Sequence, residues 1–103
     1  MQKPLGTAQL KVLEVIAGGT GYGFDVMDQA ALPSGSVYPA LSKLEKSGLV
    51  RSRWEAATRA RREKRPPRRY YEITAAGRQA LAGALVHARD LARSLAKAVK
   101  ESS

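Results

Sequence analysis

The chain has 103 residues, enough for one small domain, and no cysteine, which excludes disulfide staples, thiol catalysis and Cys-based zinc sites. Its 18 Lys and Arg against 9 Asp and Glu leave a net charge of +9, a balance that suits a polyanionic partner such as nucleic acid or an anionic membrane surface. No apolar run approaches the roughly 18 residues of a membrane span and no charged-then-apolar leader opens the chain, so a cytoplasmic protein is expected.

Thr7 is placed to cap a first helix, with Leu10, Leu13, Ile16 and Ala17 at helical spacing and Gly18-Gly19 ending it. A short second helix is expected from about Phe24 to Gln29, with Phe24, Val26, Met27 and Ala30 as its apolar residues. Leu32-Pro33-Ser34-Gly35 reads as a turn into a third helix, with Ser34 as N-cap. That helix runs to about Ser47, carries Val37, Leu41 and Leu44 on one face, and stops where Gly48 takes the C′ position. Two helices joined by a tight turn, the second polar on one side, predict a helix-turn-helix.

Leu49 to Glu55 then alternates, with Val50, Ser52 and Trp54 on one side and Arg51, Arg53 and Glu55 on the other. Arg69 to Thr74 reads as a second strand, with Tyr71 and Ile73 facing the core and Tyr70 turned away. The two predict an antiparallel ribbon. Trp54 is expected to be a partly buried residue under it, a stacking platform being the other reading. The connection from Ala56 to Pro67 is far longer than the usual hairpin loop, which marks it as functional or disordered, and Pro66-Pro67 stiffens its return. Thr74 is placed to cap a last helix from about Ala75 to Lys100, roughly 39 Å long. Along it Leu81, Leu85, Ala88, Ala92, Leu95 and Val99 recur at coiled-coil spacing, with Ala84, Leu91 and Ala98 widening the stripe. One small domain cannot cover a helix that long, and a second copy of the chain is the simplest partner. The expected fold is mainly α with a small β-hairpin. A winged helix-turn-helix over residues 1–74, its wing at about 50–74, precedes a C-terminal dimerisation helix over 75–103.

The charge is concentrated. Residues 51–69 hold nine Arg and Lys against only Glu55 and Glu63, a net +7 of the chain's +9. A charge run is usually a solvated face. Between two strands and directly after a recognition-type helix, it predicts contact with a phosphate backbone, and Arg61, Arg62, Lys64, Arg65, Arg68 and Arg69 are the candidate residues. On the third helix Ser34, Ser36, Tyr38, Pro39, Ser42, Lys43 and Lys46 form the face expected to enter the major groove of duplex DNA. The dimer interface is expected at Leu81, Leu85, Ala88, Leu91, Ala92, Leu95 and Val99. His87 has no neighbouring ligand set, and Asp25 with Asp28 lacks a base or pocket, so neither a metal, a cofactor nor an enzyme is expected.

These residues resemble the PadR family of winged-helix regulators. Gly21-Tyr22 is similar to that family's Gly-Tyr segment before the second helix. Gly35-Ser36-Val37-Tyr38-Pro39-Ala40-Leu41 is similar to its Gly-Thr-Leu-Tyr-Pro-Ala-Leu recognition motif, and Leu44-Glu45-Lys46-Ser47-Gly48-Leu49-Val50 to its Leu-Glu…Gly-Leu-Ile exit. Arg68-Arg69-Tyr70-Tyr71-Glu72-Ile73-Thr74-Ala75-Ala76-Gly77 is similar to its Arg-Tyr-Tyr…Leu-Thr…Gly signature. The resemblance covers about residues 5 to 85. It implies a homodimer, usually a repressor, on a palindromic operator, with DNA contacts at Tyr38, Ser36 and Arg68 or Arg69. It also implies the compact subgroup with one helix after the wing. That helix has no aromatic residue, and Ala88 and Ala92 favour close helix approach, so the flat-drug pore of multidrug-sensing relatives is not expected. A protein-interaction or RNA-binding module is the alternative reading.

Overall fold

The computed structural model describes residues 5–102, so the expected boundaries 1–74 and 75–103 begin and end outside the described residues. Three helices come first: α1 (Thr7–Ala17), α2 (Gly23–Ala30) and α3 (Ser34–Lys46). Strand β1 (Val50–Trp54), a short helix α4 (Ala57–Arg62) and strand β2 (Arg69–Ile73) form the wing, and α5 (Ala75–Ser102) ends the chain. The fold class is the one expected, a winged helix-turn-helix with a long trailing helix.

The core explains why the helices pack. Val12, Leu13 and Ile16 of α1, Val26 of α2, and Val37, Ala40, Leu41 and Leu44 of α3 close on one another and on Leu49 and Val50. Burying a side chain of this size is favourable by about 1.5–3 kcal/mol. The strands pair antiparallel with Val50 opposite Ile73, Ser52 opposite Tyr71 and Trp54 opposite Arg69, so the expected inner face is the observed one. Tyr71 and Ile73 pack against the core. Gly21-Tyr22 adds a short third rung: Tyr71 N–H donates to Gly21 C=O at 2.8 Å, and Tyr22 bridges Tyr70. A Cβ at Gly21 would stand 2.6 Å from the Tyr71 carbonyl oxygen, which is why that rung has no side chain.

Thr74 and Gly77 dock α5. The Thr74 hydroxyl accepts the Gly77 N–H at 3.0 Å and donates to the Gly48 C=O at 2.6 Å, while Thr74 N–H donates to Leu49 C=O at 3.0 Å. The predicted cap is therefore formed, and it also ties the helix to the corner after α3. Gly48 stands at φ +74°, as its expected C′ position requires.

Four local expectations are corrected. Gly6, not Thr7, is the N-cap of α1, its N–H held by the Gln9 side chain at 3.0 Å. Pro33, not Ser34, caps α3. Its carbonyl accepts from Ser36 and Val37, and its extended backbone sets the turn without any side-chain cap bond. The second helix is one residue longer at each end than expected. Trp54 is not under the wing but 64% exposed. It lies four residues beyond Val50, about 13 Å along the strand, at the end of β1 away from the buried Val50.

Candidate nucleic-acid interface

Helix α3 turns its apolar row inward and leaves a polar face outside. Ser34, Tyr38, Pro39, Ser42, Lys43 and Lys46 are exposed and Ser36 is half-buried. Ser36, Pro39, Lys43 and Lys46 form one row, and together with Leu5–Gln9 at the start of α1 they line a groove of about 920 Å³. Tyr38 lies on the neighbouring row, its hydroxyl 3.3 Å from where a Cβ on Gly23 would stand. The residues read as a DNA-facing helix surface are thus brought onto one side of α3.

The wing is more ordered than its length suggests. The residues between the strands hold α4, which the sequence reading missed. Ala60 of α4 is 1% exposed, and the positive φ of Lys64, 56°, turns the chain back toward β2. Glu55 anchors the turn. It is the one charged residue in the buried set among the described residues. Arg65 grips it with both terminal nitrogens, at 2.5 and 2.9 Å, the Arg68 N–H adds a longer bond at 3.4 Å, and Arg59 stands 3.6 Å away. A carboxylate accepting a bidentate guanidinium is a strong, directional partner.

The Arg65 hydrogen bonds hold the Glu55 carboxyl at about pH 2 against the opposing effect of burial, with Arg68 N–H and Arg59 adding to the lowering. The bond raises Arg65 in turn. A depressed carboxyl contributes stability that is complete above its ordinary value of 4.5 and disappears as the pH falls toward 2. Thermal melts between pH 7 and 2 should therefore fall most steeply below about 4.5. Glu55→Gln should melt lower at pH 7 and lose that part of the acid dependence. An unchanged pH profile in the variant would show that Glu55 does not anchor the wing.

Glu45 of α3 and Glu72 of the wing hold further cations. Arg69 donates to Glu45 of α3 at 2.9 and 3.2 Å and to Ser52 at 2.8 and 3.0 Å, while Ser52 donates to Glu45. This network braces the wing against α3. Glu72 takes Arg53 at 3.3 Å and Arg51 at 3.7 Å. Arg68 lies over the Tyr22 ring at 4.4 Å. Of the expected phosphate-contacting residues, Arg61, Arg62 and Lys64 are exposed and have no ion pair among the described residues, whereas Arg65 and Arg69 are held by carboxylates. Sequence reasoning missed the Glu55 anchor. The signal available was a lone acid four residues before Arg59, in an Ala-rich segment.

Helix α5 leaves its own domain early. Ala80 and Leu81 pack on the core and Ala84 is half-buried, while every described residue from Leu85 onward is exposed. Of the expected dimer residues, Leu81 therefore rests against its own chain, and Leu85, Ala88, Leu91, Ala92, Leu95 and Val99 are open. No cluster of three or more His, Cys, Asp or Glu able to hold a metal occurs among the described residues, and no described helix is long and apolar enough to cross a membrane.

Three core helices, the third with an exposed polar face, and a basic two-stranded wing define a winged helix-turn-helix DNA-binding regulator. The chain belongs to the transcriptional regulator PadR-like family, whose sequence profile matches residues 12–83. Among solved structures it is similar to a PadR family transcription regulator from Clostridium difficile R20291, with 19% identity, 91% of this chain and 99% of that one covered, and a TM-score of 0.76. It is also similar to one from Eggerthella lenta DSM 2243, with 24% identity, 91% and 82% coverage and a TM-score of 0.72. A PadR-like transcription factor from Bacteroides fragilis matches at 22% identity, 86% coverage of each chain and a TM-score of 0.72. No curated protein matches the chain. The family is one of transcriptional regulators and not of enzymes.

Proposed function

We propose that the chain is a cytoplasmic homodimeric repressor in which each α3 reads one half-site of a palindromic operator. The observation that carries this reading is the exposed polar face of α3 beside a wing whose Arg61, Arg62 and Lys64 have no carboxylate partner among the described residues. Residues 1–74 form the DNA-binding unit and 75–103 the dimerisation helix. Ser34, Ser36, Tyr38, Pro39, Ser42, Lys43 and Lys46 face the major groove. Arg61, Arg62 and Lys64 meet phosphates at the wing tip, with Arg68 and Arg69 at its base. Arg65 acts as a positioning residue, because its guanidinium is committed to Glu55. Selection of bound duplexes from a random pool tests the reading. A palindrome with half-site centres about 34 Å apart supports it, and preference for structured RNA over every duplex sinks it.

The dimer rests on the apolar row of α5. Leu85, Leu91 and Leu95 are each more than half exposed, on a helix whose 28 residues span about 42 Å. Leaving such a row in water is unfavourable, and a second α5 covers it with its own row. Leu85→Asp with Leu95→Asp should convert a sedimenting dimer to a monomer and weaken binding to a two-half-site duplex by at least about 100-fold, since linked half-sites act through effective concentration. A monomeric wild type would remove the dimer.

A further inference from the structure

We propose that Glu45 sets the sequence discrimination of the DNA interface, by holding the wing to α3 in one register and by withholding the charge of Arg69 from non-specific contact. Glu45 is the single acid of α3 and lies in the last turn of the helix whose exposed face is assigned above to DNA. A carboxylate beside a polyanion repels it, so an acid at this place lowers affinity unless it does something else for the interface. This role rests on the proposed DNA-binding reading and deepens it.

The contacts of Glu45 reach both strands. Its carboxylate accepts from Arg69 of β2 at 2.9 and 3.2 Å and from the Ser52 hydroxyl of β1, and Ser52 in turn accepts from Arg69 at 2.8 and 3.0 Å. Among the described residues no other α3 side chain hydrogen-bonds to either strand. Val50, Tyr71 and Ile73 fix the near end of the ribbon to the core. Trp54 and Arg69 pair at the far end, which leads to the wing tip. Glu45 is the direct side-chain tie between that end and the recognition helix. Base reading needs side chains held within about 0.5 Å of their productive places, so a fixed angle between the two DNA-contacting elements sharpens it.

The same contacts occupy a charge. Arg69 commits Nε and Nη2 to Ser52 and Glu45, and its guanidinium lies 5.6 Å from the Trp54 ring and 5.7 Å from the Tyr71 ring. Only Nη1 is left to reach a phosphate. An arginine already paired with a carboxylate displaces fewer counterions than a free one, and that displacement supplies the sequence-independent part of binding. Glu45 therefore weakens binding to every duplex alike while improving the choice among them.

Titrations of the full chain with a selected operator and with an unrelated duplex, across a salt series, separate the two effects. Glu45→Gln should steepen the logarithmic salt slope by about 0.9 per wing on both duplexes, or about eightfold in affinity at 0.1 M. It should also lower the ratio of operator to unrelated affinity at least about tenfold, which the freed charge cannot do because phosphates carry no base information. Ser52→Thr and Ser52→Val have equal charge and nearly equal shape and differ in the hydroxyl. At one common slope, Ser52→Thr should discriminate at least about threefold better than Ser52→Val. An unchanged ratio in Glu45→Gln, or equal ratios in the two Ser52 variants, overturns the register role. An unchanged slope in Glu45→Gln overturns the charge role. A wild type that binds no duplex refutes the DNA reading and this role with it, whereas a wild type that binds beside variants that discriminate equally well refutes this role alone.

Discussion

Alanine at Arg61, Arg62 and Lys64 together is expected to lower affinity for every duplex sequence by about 10²–10³-fold at 0.1 M salt for each wing engaged. These three exposed cations at the wing tip lack an acid partner among the described residues, so each is available to displace counterions from a phosphate. The logarithmic salt slope falls by about 0.9 per contact, or about 2.7 per wing, and at 0.1 M that corresponds to roughly 500-fold in affinity. The ratio between operator and unrelated duplex should stay the same, because phosphates carry no base information. The distribution of charge makes the effect specific to this set. Arg51→Ala with Arg53→Ala, which removes as much charge as two of the three, should change the slope less, since Glu72 already holds both. Titrations across a salt series decide the matter. An unchanged slope in the triple variant would leave the wing as a solvated charge run.

Gly77→Ala is expected to destabilise the protein by about 3 kcal/mol, which for a chain of this size lowers the melting temperature by roughly 15 °C. A Cβ at this position would run into the Leu49 carbonyl oxygen and stand 2.7 Å from Ile73 Cγ1. The first is backbone and cannot step aside, so either α5 lifts from the corner after α3 or the corner deforms. Either change disturbs the Thr74 bonds to Gly48 and Leu49 and the docking of Leu81 on the core. Gly83→Ala is the matched control on the same helix. Nothing stands within 4 Å of a Cβ there, and the change should stabilise by about 0.5–1 kcal/mol through helix propensity alone. Similar melting temperatures for the two variants would show that close packing at Gly77 does not seat the helix.

The helical periodicity was enough to find α1, α2, α3 and α5, because Leu13, Ile16, Val37, Leu41 and Leu44 recur at spacings that only a helix turns to one side. Strand alternation likewise predicted an antiparallel ribbon, and the structure sets its register with Val50 opposite Ile73. The helix starts were less legible. Ser34 and Thr7 have the chemistry of a cap, but Pro33 and Gly6 occupy those positions, because the extended backbone before each helix is set by the turn and not by the hydroxyl. Trp54 failed for a different reason. Alternation reports which side of a strand a residue faces and is silent on whether anything lies beneath that side.

What the sequence determined by itself is the inventory. It holds a recognition-type helix with a polar face, a ribbon carrying most of the net charge, and a trailing helix whose apolar row outruns its domain. These are properties of near neighbours in the chain, and spacing alone reports them. What only the tertiary structure decided is which charges are free. Glu55 and Arg65 are ten residues apart, and Glu45 and Arg69 are 24 apart, yet each pair closes a bidentate or branched contact. Coulombic pairing depends on distance in space, which folding sets and residue counting does not. The basic wing therefore has an arginine framework bound to buried or bracing carboxylates, Arg68 over the Tyr22 ring, and a tip of three cations without a carboxylate among the described residues.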